Sequence, residues 1–220
     1  MEYIASFDIG KKNFAFCVEK IDTKKIKQLN RIPQTKRYNK DGSPTPEFDK
    51  ILSKLYRCGD VQIMAVIDLT DNCDKKSYLD PNTFINMVNE LNKYKRYWNK
   101  CSVFIIEKQM AFRKIYNMMA IKLAQHCYSY FVMQYLRNPK TIIEYPAYHK
   151  TSILGAIKID VKTKPKRKKW AIQKAISILE YRDDQQVLNM LKSTSKKDDM
   201  ADCLLMTITY SLLKHYDGKY

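Results

Sequence analysis

Apolar residues fall into short runs separated by polar clusters along this chain, and the spacing within each run predicts its element. Tyr3 to Phe7 and Phe14 to Val18 flank Asp8-Ile9-Gly10-Lys11-Lys12-Asn13, a turn chemistry that predicts a β-hairpin and leaves Asp8 at the end of the first strand. From Lys20 to Asp49 the chain turns polar and basic and ends in Asn39-Lys40-Asp41-Gly42-Ser43-Pro44-Thr45-Pro46. That composition predicts a surface insertion made of loop, with no buried face. Val61 to Leu69 predicts a buried third strand, and Pro81 to Trp98 a helix, with Phe84, Met87, Val88 and Leu91 at helical spacing. Ser102 to Ile106 is a β-branched and aromatic run ending at Glu107, and Phe112 to Leu136 reads as one long helix with an almost unbroken apolar face. Thr141-Ile142-Ile143, closed by Tyr145-Pro146, predicts a short strand. Trp170 to Leu179 and Lys197 to His215 predict two further helices. Strands gathered early, with helices after the later ones, predict an α/β domain with a mixed central sheet flanked by helices.

Length and composition narrow the picture. The 220 residues, 45% of them hydrophobic, suit one domain with one sizeable core. Forty Lys and Arg against 23 Asp and Glu leave a net charge of +17, a field that gathers phosphate polyanions. Nucleic acid is the first partner to expect and an anionic membrane surface the second. No apolar run approaches the roughly 20 residues of a transmembrane helix. The start, Met1-Glu2-Tyr3-Ile4-Ala5-Ser6-Phe7-Asp8, lacks the cationic and greasy regions of a signal peptide, so an intracellular protein is expected. Six scattered cysteines without a CxxC pair suit a reducing compartment rather than a disulfide framework or a zinc site. No GxSxG, P-loop or GxGxxG is present, and nothing pairs His126 or His149 with a nucleophile.

Against this basic background a few acids stand at element ends. Asp8 ends the first strand and Glu107 the fourth, while Asp199 and Asp202 share a face at the start of the last helix. Each also has a structural explanation. Asp8 suits a turn, Glu107 a solvated strand end, and Ser195-Lys196-Lys197-Asp198 has the spacing of a capping box, which accounts for Asp198. Asp202 is different, because it begins the apolar face running through Leu205, Met206, Thr209, Leu212 and Leu213. A carboxylate aimed at a core needs a partner or a metal. Converging carboxylates are hard oxygen ligands of the kind Mg²⁺ takes.

These segments resemble the RuvC-like Holliday-junction resolvases of the RNase H-like superfamily, in particular the poxvirus-type resolvases of large DNA viruses. The matching stretches are Ser6-Phe7-Asp8-Ile9-Gly10, Ile105-Ile106-Glu107-Lys108-Gln109, the basic Lys166-Arg167-Lys168-Lys169 ahead of a helix, and Lys197-Asp198-Asp199-Met200-Ala201-Asp202-Cys203. The resemblance spans most of the chain and implies a single RNase H-like domain over 1–220. The polar basic insertion, approximately 22–60, departs from the family between the second and third strands. The resemblance further implies that Asp8, Glu107, Asp199 and Asp202 hold two Mg²⁺ ions, with Mn²⁺ able to substitute. In that scheme Asp8 bridges the ions, Glu107 and Asp202 serve the ion that activates water, and Asp199 completes the other. A lysine near the scissile phosphate is also implied, with Lys169 preferred and Lys150 the second candidate. Lys162, Lys164, Lys166, Arg167 and Lys168 then read as a phosphate-tracking run.

By the same resemblance Arg113, Lys114 and Asn117 face DNA at the start of a long helix, Arg113 to Leu136, which forms the seam of a homodimer. Tyr128, Tyr130, Phe131 and Tyr135 on that helix read as core or dimer contacts. The implied activity is a Mg²⁺-dependent, structure-selective endodeoxyribonuclease that resolves four-way DNA junctions by paired symmetric nicks, in recombination or in processing viral replication intermediates. An infected-cell cytoplasm or virion location follows if the source is viral. The competing readings are a RuvC-like nuclease acting on other branched DNA and a non-catalytic basic nucleic-acid-binding module. Actin-type and sugar-kinase ATPases share the topology and an Asp-x-Gly turn, but need two lobes and a second glycine-rich loop, which five glycines in 220 residues do not supply.

Overall fold

The hairpin around Asp8 supplies two adjacent strands of the central sheet. In the computed structural model, which describes residues 1–74, 76–109, 111–112 and 115–220, strands β1 (Glu2–Asp8) and β2 (Phe14–Ile21) pair antiparallel, with Asp8 opposite Ala15. Helices α1 (Thr23–Lys27) and α2 (Pro46–Tyr56) follow, then strand β3 (Gly59–Ile67) on the far side of β2. Helices α3 (Pro81–Lys93) and α4 (Lys95–Trp98) lead into β4 (Val103–Glu107), which lies parallel to β1. A small ribbon, β5 (Ala111–Phe112) with β6 (Ile115–Tyr116), precedes helix α5 (Met118–Gln134). Strand β7 (Thr141–Tyr145) adds parallel to β4, and helices α6 (His149–Ile153), α7 (Lys164–Tyr181), α8 (Gln185–Ser193) and α9 (Lys197–Ser211) complete the chain. The order β3-β2-β1-β4-β7 is the expected mixed sheet with helices on both faces.

Strand alternation decides which residues meet which helices. Ala5, Phe7, Phe14, Phe16, Phe104 and Ile106 face α3, α4 and α5, where Met87, Leu91, Trp98, Leu123 and Phe131 close one core. Ile4, Ala15, Cys17, Val103, Ile105 and Tyr145 face the other side, where α2, α7, α8 and α9 supply Leu52, Leu179, Leu191, Leu204 and Leu205. Helix α9 is buried along nearly its whole length, and the backbone continues beyond it as a π-helical turn, Leu212–Tyr216. Among the described residues no helix is long and apolar enough to cross a membrane.

Several expected elements are corrected. The insertion does have a buried face: α1 buries Ile26, and α2 buries Phe48, Ile51, Leu52 and Leu55. The readable signal was Thr45-Pro46, whose hydroxyl accepts the Phe48 amide hydrogen, ahead of apolar residues at helical spacing. Arg37 is buried as well, making two bonds to Asp217 at 3.0 and 2.6 Å between the rings of Phe48 and Tyr216. The helix expected from Phe112 starts at Met118 instead, because the Asn117 carboxamide accepts the Ala120 amide hydrogen and sets the first turn. Helix α7 begins earlier than expected, capped by Thr163 and opened by Pro165, so the basic run from Lys164 lies on a helix and not on an approach to one. No side chain caps α9 at Lys196, so the capping-box reading of Ser195 and Asp198 does not hold.

Phe131 is fully buried, with its ring centroid 4.1 Å from Phe104, 5.1 Å from Phe7 and 5.9 Å from Trp98. It therefore belongs to the core of the protomer. Phe131→Ala is expected to cost about 3–5 kcal/mol of stability, the range for emptying an aromatic core site. Urea denaturation measures this, and a loss below about 1 kcal/mol would show that this aromatic stack is not what holds α5 to the sheet.

Candidate active site

Parallel pairing of β1 and β4 places their carboxy-terminal ends side by side. Phe7 is in register with Ile106, so Asp8 and Glu107 emerge as neighbours at one edge of the sheet. Helix α9 is tied to the same strand by the Ser6 hydroxyl, which donates to the Cys203 carbonyl at 2.8 Å. That bond is two residues from Asp8 and one from Asp202, and it brings the helix's acid to the strand ends. Strand β7 completes the geometry: the Lys108 amide donates to the Tyr145 carbonyl at 2.9 Å, and the turn at Pro146 feeds directly into α6. From α6 the Lys150 ammonium enters the group, 2.8 Å from Glu107 Oε1 and 2.9 Å from Asp202 Oδ2. Lys150 is only 6% exposed.

The electrostatics are those of several anions sharing one cation. Burial and repulsion from Glu107 push the Asp8 carboxyl well above the usual range, against the attraction of Lys150. Burial also pushes Glu107 upward, but Lys150 and the hydrogen bond donated by the Asp8 carboxyl outweigh it, and Glu107 ends low. Asp202 is raised, by burial first and by Glu107, although Lys150 opposes this. The Lys150 ammonium loses hydration, yet Glu107, Asp202 and Asp8 together hold it firmly protonated.

Asp199 lies one turn earlier on α9. Burial, then the neighbouring Asp198 charge, pushes its carboxyl up to about 6, and its buried Oδ2 has no hydrogen-bond partner among the described residues. Asp198 pairs with Lys168 of α7, and that pairing with its hydrogen bond raises the Lys168 pKa. Of the two candidate lysines, then, the structure brings Lys150 to the carboxylates and leaves Lys169 exposed on α7. Lys162, Lys164, Lys166 and Arg167 are also exposed, on and just before the helix whose Lys168 pairs with Asp198. Asn117 is engaged as the α5 cap, while Arg113 and Lys114 lie outside the described residues.

The donor set suits a hard divalent cation in its chemistry. Its oxygens are all carboxylate, they repel one another, and Asp199 retains an unsatisfied buried oxygen. Among the described residues no three acidic, His or Cys side chains are closed around a common point. The Lys150 ammonium occupies the space between Glu107 and Asp202 and supplies positive charge there.

Because the folded chain holds the Asp8 proton more tightly than the unfolded chain does, ionising Asp8 weakens the fold as pH rises above about 4 towards neutrality. Asp8→Asn is therefore expected to raise the melting temperature near neutral pH in chelator, and to flatten its decline with pH. Calorimetry across the mildly acidic to neutral range reads both. A lowered melting temperature would identify an aspartate whose charge the fold requires.

No protein-family model matches the chain. It is 32% identical to the uncharacterized protein 170L of Invertebrate iridescent virus 6, over 96% of this chain and 89% of that protein. Among solved structures it is similar to the fowlpox virus resolvase in complex with substrate Holliday junction DNA, at 19% identity and a TM-score of 0.50, covering 96% of this chain and 99% of that one. It is similar also to Thermus thermophilus RuvC, at 12% identity and a TM-score of 0.50, covering 98% and 96%. These two likenesses establish the RuvC-type, RNase H-like fold that the strand order displays. With identity of 32% along almost the full length of both chains, this protein belongs to the same family as the iridescent virus protein and carries the RuvC-like fold.

Proposed function

We propose that this protein is a divalent-metal-dependent endodeoxyribonuclease that resolves four-way DNA junctions. The observation that carries the reading is the convergence of Asp8, Glu107 and Asp202 around buried Lys150 at the carboxy-terminal ends of β1 and β4. A knot of acid inside a chain of net charge +17 separates two tasks: the surface attracts DNA and the centre acts on it. The similarity to the fowlpox virus resolvase solved with Holliday junction DNA supports junctions as the substrate class.

Asp8, Glu107, Asp202 and Asp199 are the residues that would hold two Mg²⁺ ions. When bound, such ions supply Lewis acidity towards a phosphodiester and make water a nucleophile near neutral pH. The protein's own groups do the rest. Lys150, kept protonated beside Glu107 and Asp202, is the hydrogen-bond donor this site offers to a phosphate oxygen. Asp199, with an acceptor oxygen to spare, stands where the basic start of α7 meets α9. Lys164, Lys166, Arg167 and Lys169 on α7, with Lys162 just before it, track the backbone, so binding weakens steeply with salt.

Paired symmetric nicks call for two copies related by a two-fold axis. The exposed apolar side chains of α5 and its C-terminal end, Val132, Met133 and Leu136, support this helix as the seam. Met133 and Leu136 are 77% and 74% exposed, whereas Phe131 is buried in the protomer core, so the former two are the residues that test the seam. Met133→Glu with Leu136→Glu should yield a folded monomer in sedimentation velocity; an unchanged dimer would move the seam elsewhere. Together these properties suit an enzyme that clears branched intermediates from a replicating viral genome inside the infected cell.

A labelled four-way junction incubated with the protein in Mg²⁺ or EDTA, beside a linear duplex and a fork, tests the reading. Paired symmetric nicks are expected only with metal and only on the junction. Asp202→Asn should lower cutting by at least about 100-fold, the scale of losing a group that acts in the transition state, and Asp8→Asn should stop cutting while junction binding persists. Metal-dependent cutting of every substrate would make the protein a less selective nuclease, and tight binding without cutting would make it a binding module.

A further inference from the structure

Helix α6 carries Lys150 but is too short to hold itself. It spans five residues, and a single turn does not repay the cost of its own nucleation. Its outer end is held by a loop of the insertion more than a hundred residues away. The Tyr38 hydroxyl donates to the Ile153 carbonyl at 2.7 Å, capping one of the orphan carbonyls at the end of α6. Just beyond, Gly155 adopts a φ of +72°, and a Cβ there would lie 2.5 Å from Pro44 Cδ. From the other side Gly42 adopts a φ of +97°, and its Cβ would lie 2.9 Å from the Ala156 carbonyl oxygen. The Lys158 amide donates to the Asp41 carbonyl at 2.9 Å, and its ammonium to the Lys40 carbonyl at 3.0 Å. The two segments thus meet backbone to backbone, at the two places where a side chain is missing.

The loop is cross-linked within itself. Tyr38 and Pro44 form a β-bridge, the Asn39 amide donates to the Ser43 carbonyl at 2.8 Å, and Asp41 accepts both the amide and the hydroxyl of Ser43 at 2.9 and 2.7 Å. Its base is anchored as well. The Tyr38 ring meets Phe48 of α2 edge-on at 5.3 Å, and Arg37 holds Asp217 beyond the end of α9. An unbroken series of packed contacts therefore runs from the C-terminal turn, through Arg37 and Tyr38, to α6 and the ammonium three residues before Ile153.

We propose that residues 38–44 of the insertion position Lys150 at the carboxylates, with Tyr38 as the positioning residue. This deepens the junction-cleavage reading and rests on it for the rate measurements, while amide exchange reads the brace alone. It also gives the polar insertion a task inside the fold.

Tyr38→Phe removes one hydroxyl and keeps the ring. In the full-length protein it is expected to slow single-turnover junction cleavage about tenfold, equivalent to about 1.4 kcal/mol, while junction affinity stays within about twofold. In a Lys150→Ala background the same substitution should add no further loss, because nothing remains to be positioned. Hydrogen exchange at the amides of residues 151–156 should speed up in Tyr38→Phe while the sheet stays protected. Gly155→Ala, which separates the loops by steric contact with Pro44, should reproduce the pattern. An equal loss with and without Lys150, or unchanged exchange in both variants, would reduce the loop to surface packing. If the wild-type protein cuts no junction, the functional reading falls, and exchange still decides whether the loop holds α6.

Discussion

A single ammonium among buried carboxylates is the constraint on which the centre of this molecule turns. Lys150 lies within 3 Å of both Glu107 and Asp202 and also attracts Asp8, while all of them are largely withdrawn from water. Repulsion at such distances in a low-dielectric site would scatter the acids if nothing positive stood between them. One cation cannot neutralise them all, so burial and the Glu107 charge push the Asp8 carboxyl up while Lys150 keeps Glu107 low. A site in this condition has room for more positive charge. That is the physical link between the geometry and a chemistry that works with divalent ions.

The surrounding fold spends its buried polar contacts on keeping those groups in register. Helix α9 carries two of the acids and is pinned at three levels. Near its start Ser6 bonds to the Cys203 carbonyl. In the middle fully buried Glu19 of β2 bonds Thr207 while pairing with Arg182 at 2.6 Å, and beyond its end Arg37 holds Asp217. Each contact joins segments far apart in the chain, and contacts spaced along the helix together oppose its sliding and rotation. Since Asp202 begins the same face as Leu205, Met206 and Thr209, fixing the rotation aims the carboxylate. Burying Glu19 without Arg182 would be costly, so the pair also resists any other packing of α9.

Surface and interior divide the charge between them. The excess of Lys and Arg lies outside, much of it on α7 and the segment before it, and one of those lysines, Lys168, reaches inward to Asp198. The neighbouring Lys169 stays in water. Adjacent residues on a helix point about 100° apart, so a basic run delivers at most some of its members to a site, and only the packing of α7 against α9 selects which.

The amino-acid pattern alone was enough to place Asp8 and Glu107 at strand ends, because β-branched and aromatic runs broken by polar residues specify strands locally. It was enough to mark Asp202 as unusual, because a carboxylate on an apolar helical face conflicts with its surroundings wherever that helix is packed. It could also have yielded α2 from Thr45-Pro46 and the start of α5 from Asn117, since caps are local signals. Three things lay beyond it. Lys150 could not be told from Lys169, because a five-residue helix has no periodicity to read and the Lys150–Glu107 bond joins residues 43 apart. Arg37 looked like part of a solvated basic loop, and only the folded chain brings it to Asp217, 180 residues away. The loop at 38–44 looked like ordinary turn material until Gly42 and Gly155 met their partners across the fold. Local chemistry settles which residues end strands and begin helices, whereas the meeting of charges distant in the chain is settled by sheet register and helix packing, which no short window of residues contains.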